Sequence, residues 1–211
     1  MDIIYNLGKG GIKDARVFLI NSHRTDTFDF EKLQMSFIQT VSDLKRDAMI
    51  LSLTTHSKEI LERKVDVLRK HIPTIAHSAG LAASLSKTES DERPEITLLL
   101  NEARLYAIQL GINIESLNTV AKNFRMDVSV IKKAVNMQSP ALLSSERSFL
   151  QYYKTFDDCY RQSPDKISSG DLGRNVQSQC KTVLKNILDM CISESNKLHL
   201  QIADLSELES A

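Results

Sequence analysis

From Phe30 onward, apolar residues recur at the spacing of a helix. Leu33, Phe37, Val41, Leu44, Ala48 and Leu51 step by 4, 4, 3, 4 and 3, which holds one apolar stripe along a helical surface. Gln34, Ser42, Asp43, Lys45 and Arg46 fall mainly on the other side. Thr54-Thr55-His56-Ser57 then offers a weak break with capping hydroxyls. A second stripe follows: Leu61, Val65, Leu68, Ile72, Ile75, Ala79 and Ala82 alternate steps of 4 and 3. It runs straight through Pro73, where a helix loses one hydrogen bond and crowds its preceding turn. Because the stripe keeps its phase, a kink near His71 is expected; the alternative is a tight corner at Pro73.

Residues 84–93 are polar and aperiodic and read as a linker. Pro94 at a first helical position, followed by Glu95, starts the next helix. It carries Ile96, Leu99, Leu100, Ala103, Tyr106, Ala107 and Leu110, and Gly111 stops it. Two shorter helices are expected near 114–125 and 128–137. Ser139-Pro140 opens another, carrying Leu143, Phe149, Leu150, Tyr153 and Phe156, and residues 162–173 read as a loop. In the last helix Leu184, Cys191, Leu198 and Leu205 recur every seven residues, with Cys180 and Ile187 in the partner positions. Continuing that partner series gives Glu194 and Gln201. The seam therefore turns polar, and the helix is expected to project or fray beyond Ser195.

The predicted fold is all-α, a bundle of about six or seven helices, several long and amphipathic, with a less regular N-terminal segment. Residues 1–29 form that segment; Arg16-Val17-Phe18-Leu19-Ile20-Asn21 within it reads as a short buried strand or a helix fragment. Residues 30–87 read as a helical hairpin or kinked helices. Residues 94–205 continue the same core or form a second one, and 206–211 are a frayed acidic tail. Only seven glycines and four prolines in 211 residues argue against a turn-rich β fold.

Lysine plus arginine equals aspartate plus glutamate at 27 each, so there is no basic excess of the kind that coats nucleic acid or anionic membrane. No apolar run is long enough to cross a bilayer, and Met1-Asp2-Ile3-Ile4-Tyr5 lacks the order of a signal segment. Cys159, Cys180 and Cys191 form no Cys-x-x-Cys pair and leave an odd count. Reduced thiols in the cytoplasm, or in another reducing intracellular compartment, are the expectation; a secreted effector inside a host cell would carry the same thiols.

Candidate chemistry is thin. Gly8-Lys9-Gly10-Gly11 lacks the four-residue spacing and the Gly-Lys-Ser/Thr run with which a phosphate loop gathers backbone N–H groups and a lysine on an anion. None of His23, His56, His71, His77 and His199 sits three or four residues from another histidine or a cysteine, so no helix face presents a pair of zinc ligands. Glu59 with Arg63 and Asp66 with Lys70 read as one-turn ion pairs of ~0.3–0.5 kcal/mol each on an outer face. Asp157-Asp158 point to different helix faces, and Cys159 and Cys191 sit in apolar register. No catalytic residue, cofactor or metal is expected.

Residues 117–136 resemble a helix-turn-helix. Val120, Phe124 and Met126 supply apolar contacts, Ala121 sits where two helices approach closely, Asp127 caps the second helix, and Ile131 with Ala134 or Val135 anchors it. Lys122, Arg125, Ser129, Lys132, Lys133 and Asn136 would face a groove, lysines on phosphates and Ser129 or Asn136 on base edges. Against this, Arg125 stands at the turn position that favours glycine, and Val128 and Val130 are apolar where a reading helix is normally polar. The sequence reading therefore favours a non-catalytic interaction or adaptor module, not an enzyme. It would act through exposed helix faces on another protein or on a second copy of itself. A helix-turn-helix DNA-binding regulator is the alternative, and an enzyme assembled from distant polar residues is a third class without a motif behind it.

Overall fold

The computed structural model describes residues 9–10, 16–21, 28–53, 57–85, 93–157 and 169–210. Every regular element among them is an α-helix, as the periodicity predicts. In chain order these are α1 (Phe30–Thr40), α2 (Asp43–Ser52), α3 (Lys58–Leu85), α4 (Pro94–Gln109), α5 (Ile114–Asn123), α6 (Val128–Val135), α7 (Ser139–Leu142), α8 (Glu146–Asp157) and α9 (Ser169–Ser210). None of these helices is long and apolar enough to cross a membrane. The chain divides into two compact units, Met1–Arg63 and Lys64–Ala211, the division falling inside α3.

In the first unit the expected single helix across 33–51 is two. Val41 and Ser42 adopt extended backbone (ψ 141° and 150°), and Ser42 begins a new helix at α2. A β-branched residue, with its reduced helix preference, makes that break inexpensive, although the Ser42 side chain forms no cap bond. With the phase interrupted, the buried positions are Gln34, Ile38 and Ile50, while Phe37 is exposed. Residues 16–21 form neither a buried strand nor a helix: Val17, Leu19 and Ile20 are exposed. The segment is instead pinned by Asp29, whose backbone N–H donates to Leu19 O (2.8 Å) and whose Oδ2 accepts from Leu19 N–H (3.1 Å). Of the proposed break at 54–57, residues 54–56 lie outside the described residues, and the Ser57 hydroxyl accepts the Ile60 N–H (3.3 Å) at the start of α3. The one-turn pair Arg63–Glu59 forms at 3.0 Å between half-exposed groups.

In the second unit α3 continues through Pro73, with no corner there. Pro73 is exposed, so the missing hydrogen bond and the ring both lie on the solvent side. Val65, Leu68, Ile72 and Ala79 of the expected stripe are buried, joined by Val67 and Ala76. Helix α4 matches its sequence signals at both ends: Pro94 opens it, Gly111 follows it at φ 71°, and all seven expected apolar positions are buried. It packs on α8 and α9, and α9 also meets α6, α7 and α8. The core thus gathers Leu99, Tyr106, Phe149, Tyr153, Leu184 and Ile187, each almost inaccessible to water.

Three expectations change here. The helix opened by Ser139-Pro140 is interrupted at 143–145, because the Ser145 hydroxyl takes the Ser148 N–H (3.1 Å) and starts α8 afresh. Part of the expected 162–173 loop is helical, since α9 begins at Ser169; the rest lies outside the described residues. Helix α9 also stays packed past Ser195, as Glu194, Ser195 and Leu198 are all buried. The Ser195 hydroxyl donates to Leu110 O (2.8 Å), satisfying a carbonyl at the C-terminal end of α4. The Glu194 carboxylate accepts from the backbone N–H groups of Gln138 (2.6 Å) and Ser139 (3.1 Å) and from the Ser139 hydroxyl. The polar turn of the seam is therefore a set of bonds to the ends of neighbouring helices.

Candidate functional site

The 117–136 hairpin forms as its pattern predicts. Asp127 Oδ1 accepts the Ser129 N–H (2.7 Å) and caps α6, and the hydrogen bonds from Ser129 hold its carboxyl below the usual range. Leu117, Ala121, Ile131 and Val135 are buried between the two helices and α9. Val128 is half-buried and Val130 exposed, so neither valine is locked into the core. Lys122, Arg125, Ser129, Lys133 and Asn136 are exposed and Lys132 is half-buried. Ser129, Lys132, Lys133 and Asn136 share one side of α6 by spacing. Asn136 sits at φ 55°, so its backbone ends α6 in a left-handed turn.

Arg125 is held at φ 51°. That conformation brings Cβ against the following carbonyl and costs about 1–2 kcal/mol for a non-glycine residue. Its side chain is exposed, so little packing is lost on removing it. Arg125→Gly is expected to raise stability by about 0.5–1 kcal/mol, the relief of strain exceeding the extra chain entropy. A higher urea midpoint at unchanged slope is the readout; an unchanged or lower midpoint would show that the turn carries no strain.

The buried polar groups of the second unit are the other place to look for chemistry. Lys64 is 3% exposed, and its Nζ donates to the Gln109 carbonyl (3.2 Å) and to Gln109 Oε1 (3.1 Å). Burial pushes its pKa down to about 8. Burial also pushes Glu102 up, against a weaker opposing pull from His71. Tyr106 is raised by burial and by the neighbouring Glu102 charge. The thiols of Cys180 and Cys191 are both pushed up to about 12 by burial, which keeps them neutral and poor nucleophiles. Cys159 lies outside the described residues, as do Gly8 and Gly11 of the glycine–lysine cluster.

Residues 1–156 match the interferon-inducible GTPase (IIGP) family. The chain is 30% identical over 147 residues to interferon-gamma-inducible GTPase 10 of Mus musculus, an overlap covering 69% of this chain and 34% of that protein. It is 23% identical over 155 residues to interferon-inducible GTPase 5 of Rattus norvegicus, covering 74% and 34% respectively. The counterpart in Bos taurus gives 23% over 158 residues, covering 75% and 34%. The chain thus spans about a third of the length of the curated relatives it matches.

These matches overturn the expected function. Helices α1 to α8, read as part of a non-catalytic adaptor, lie in the span that matches proteins named as GTPases, so the conclusion that no enzyme is involved does not stand. The 117–136 hairpin lies inside the matched span, and the DNA-regulator reading falls with it. Sequence reasoning missed this for a physical reason. Nucleotide chemistry announces itself locally through a phosphate loop, whereas the family's likeness here is spread over residues 1–156.

Proposed function

Because the chain belongs to the interferon-inducible GTPase family, we propose that it serves GTP hydrolysis as the helical part of such an enzyme, the part that responds to the nucleotide state. The observation that carries this reading is the extent of the family match, which runs unbroken from the N-terminal segment through α8. The helical architecture suits it. Helix α9 has 42 residues and α3 has 28, so at 1.5 Å per residue they are roughly 63 and 42 Å long. A continuous helix bends little, so a displacement at one end is delivered to the other. Glu194 and Ser195 bond α9 to α7 and to the end of α4, which ties these elements together. We infer a reducing compartment such as the cytoplasm; the free, buried thiols of Cys180 and Cys191 support it.

The test is an exchange. In mouse interferon-gamma-inducible GTPase 10, the span aligned with this chain is replaced by this chain, and GTP turnover is measured. Turnover within about tenfold of the parent, or about 1.4 kcal/mol of barrier, is the expected result. A folded chimera that binds GTP but has lost turnover by about a hundredfold or more would sink the reading.

A further inference from the structure

A cleft of about 460 Å³ opens in the second unit between the C-terminal end of α4, the start of α5, α6 and α7. Its size lies in the range of small-molecule sites. The floor is apolar and buried: Ile112, Ala107 and Leu143 are 1%, 7% and 8% exposed. At the mouth stand Ile108 and Ile114, 55% and 53% exposed. Two large aliphatic side chains left in water beside an apolar depression are typical of a surface that is covered by something.

The charge at the rim says what kind of molecule fits. Arg104 and Lys132 line the cleft, and among the described residues neither is in a salt bridge. Arg104 uses Nε on the Leu143 carbonyl (3.2 Å), which fixes its guanidinium at the rim. Glu115 is the one carboxylate among the lining residues, so two cations and one anion leave a single positive charge. That charge matches a monoanion; a phosphomonoester dianion would meet Glu115 uncompensated. The hydroxyls of Ser139 and Ser144 are already engaged, by Glu194 and by the Ala141 carbonyl. A peptide in this cleft would bring N–H and C=O groups that the apolar floor leaves unsatisfied, whereas an acyl chain brings none. We propose that this cleft binds a straight acyl chain ending in a carboxylate, the chain on Ile112 and Leu143 and the head group between Arg104 and Lys132.

The experiment titrates the full chain calorimetrically with dodecanoate kept below its micelle concentration, beside decanoate, dodecanol and dodecyl phosphate. Saturable one-to-one binding of dodecanoate is expected, falling about fourfold for each buried methylene removed. Dodecanol and dodecyl phosphate bind more weakly. Lys132→Glu weakens dodecanoate more than about tenfold while hardly moving dodecanol, and Ile108→Asp weakens both. Ile108 is exposed and Lys132 half-buried, and unchanged thermal melts certify that the variants are folded. Absence of saturable binding, or binding indifferent to both substitutions, overturns the proposal. So does displacement of dodecanoate by an acidic leucine-rich peptide, which would assign the cleft to a protein partner. Binding to neutral phosphatidylcholine vesicles with the same sensitivity to Ile108→Asp would make the patch a membrane contact and overturn it equally.

Discussion

Glu194→Ala is expected to lose roughly 3–4 kcal/mol of folding stability. Glu194 is 3% exposed, and its carboxylate accepts three hydrogen bonds from the start of α7. Helix α7 has four residues and no side-chain cap of its own, because Gln138 occupies the cap position. Pro140 has no N–H to satisfy and Ala141 is exposed to water, so the donors most in need of a protein partner are those that Glu194 takes. Alanine removes the acceptor while the donors remain in a buried junction, each left unsatisfied at about 1–3 kcal/mol. Glu194→Gln keeps one acceptor oxygen but turns an amide N–H₂ towards donors, so it should fall between wild type and alanine. Ser139→Ala removes only the hydroxyl bond and should cost about 1 kcal/mol. Urea unfolding followed by far-ultraviolet circular dichroism measures all three. A loss below about 1 kcal/mol in Glu194→Ala would mean that water reaches the donors and that the junction is not sealed.

The second large effect is expected at Lys64, and it appears as a function of pH. The ordinary lysine value is 10.5, and burial brings it to about 8 in the folded chain. Below pH 8 both folded and unfolded chains hold the proton, and this group adds no pH dependence. Between about 8 and 10.5 the unfolded chain keeps a proton that the folded chain has released, so folding becomes more favourable as pH rises. The gain over that window is up to roughly 3 kcal/mol. The buried thiols act in the opposite sense. Cys180 and Cys191 are pushed from 9.0 to about 12, so between those values the folded chain keeps protons that the unfolded chain releases, and stability falls. The raw curve therefore mixes two trends, and the difference between wild type and Lys64→Met isolates one. Whatever advantage the methionine variant shows at pH 7 should shrink steadily from pH 8 to 10.5. A difference that stays flat across that window would show that the Lys64 ammonium is solvated in the folded chain.

Much of the helical architecture is legible along the chain, and helix α4 shows why. Its start at Pro94, its stop at Gly111 and its seven buried positions all follow from local capping and a 3.6-residue period. The α5–α6 hairpin is legible in the same way, through the Asp127 cap and the anchors Ile131 and Val135. Helix α3 keeps its apolar phase through Pro73, and phase proved a better guide there than the proline. The candidate site was less accessible. The basic residues of α6 were visible as a pattern, but a pattern of two short helices around a turn serves a helical enzyme as well as a DNA reader.

Periodicity reports which residues share a face; it does not report what lies opposite that face. The positions misjudged from sequence are those whose state depends on a distant partner or a small local preference. Glu194 occupies a seam position that looks solvent-facing, and it is buried because the start of α7, 55 residues earlier in the chain, lies against it. Ser195 is buried for the same kind of reason, against the end of α4, 85 residues away. The break at Val41-Ser42 turns on a backbone preference and that at Ser144-Ser145 on a single hydrogen bond, each worth about 1 kcal/mol and too small to shift an apolar stripe. The cleft between α4, α5, α6 and α7 is contributed by residues 104–144, and its floor and rim exist only once those helices are packed. Local helix formation is thus written in the chain because it depends on neighbours in sequence. Burial of charge and the shape of the cleft depend on neighbours in space, and folding is what supplies them.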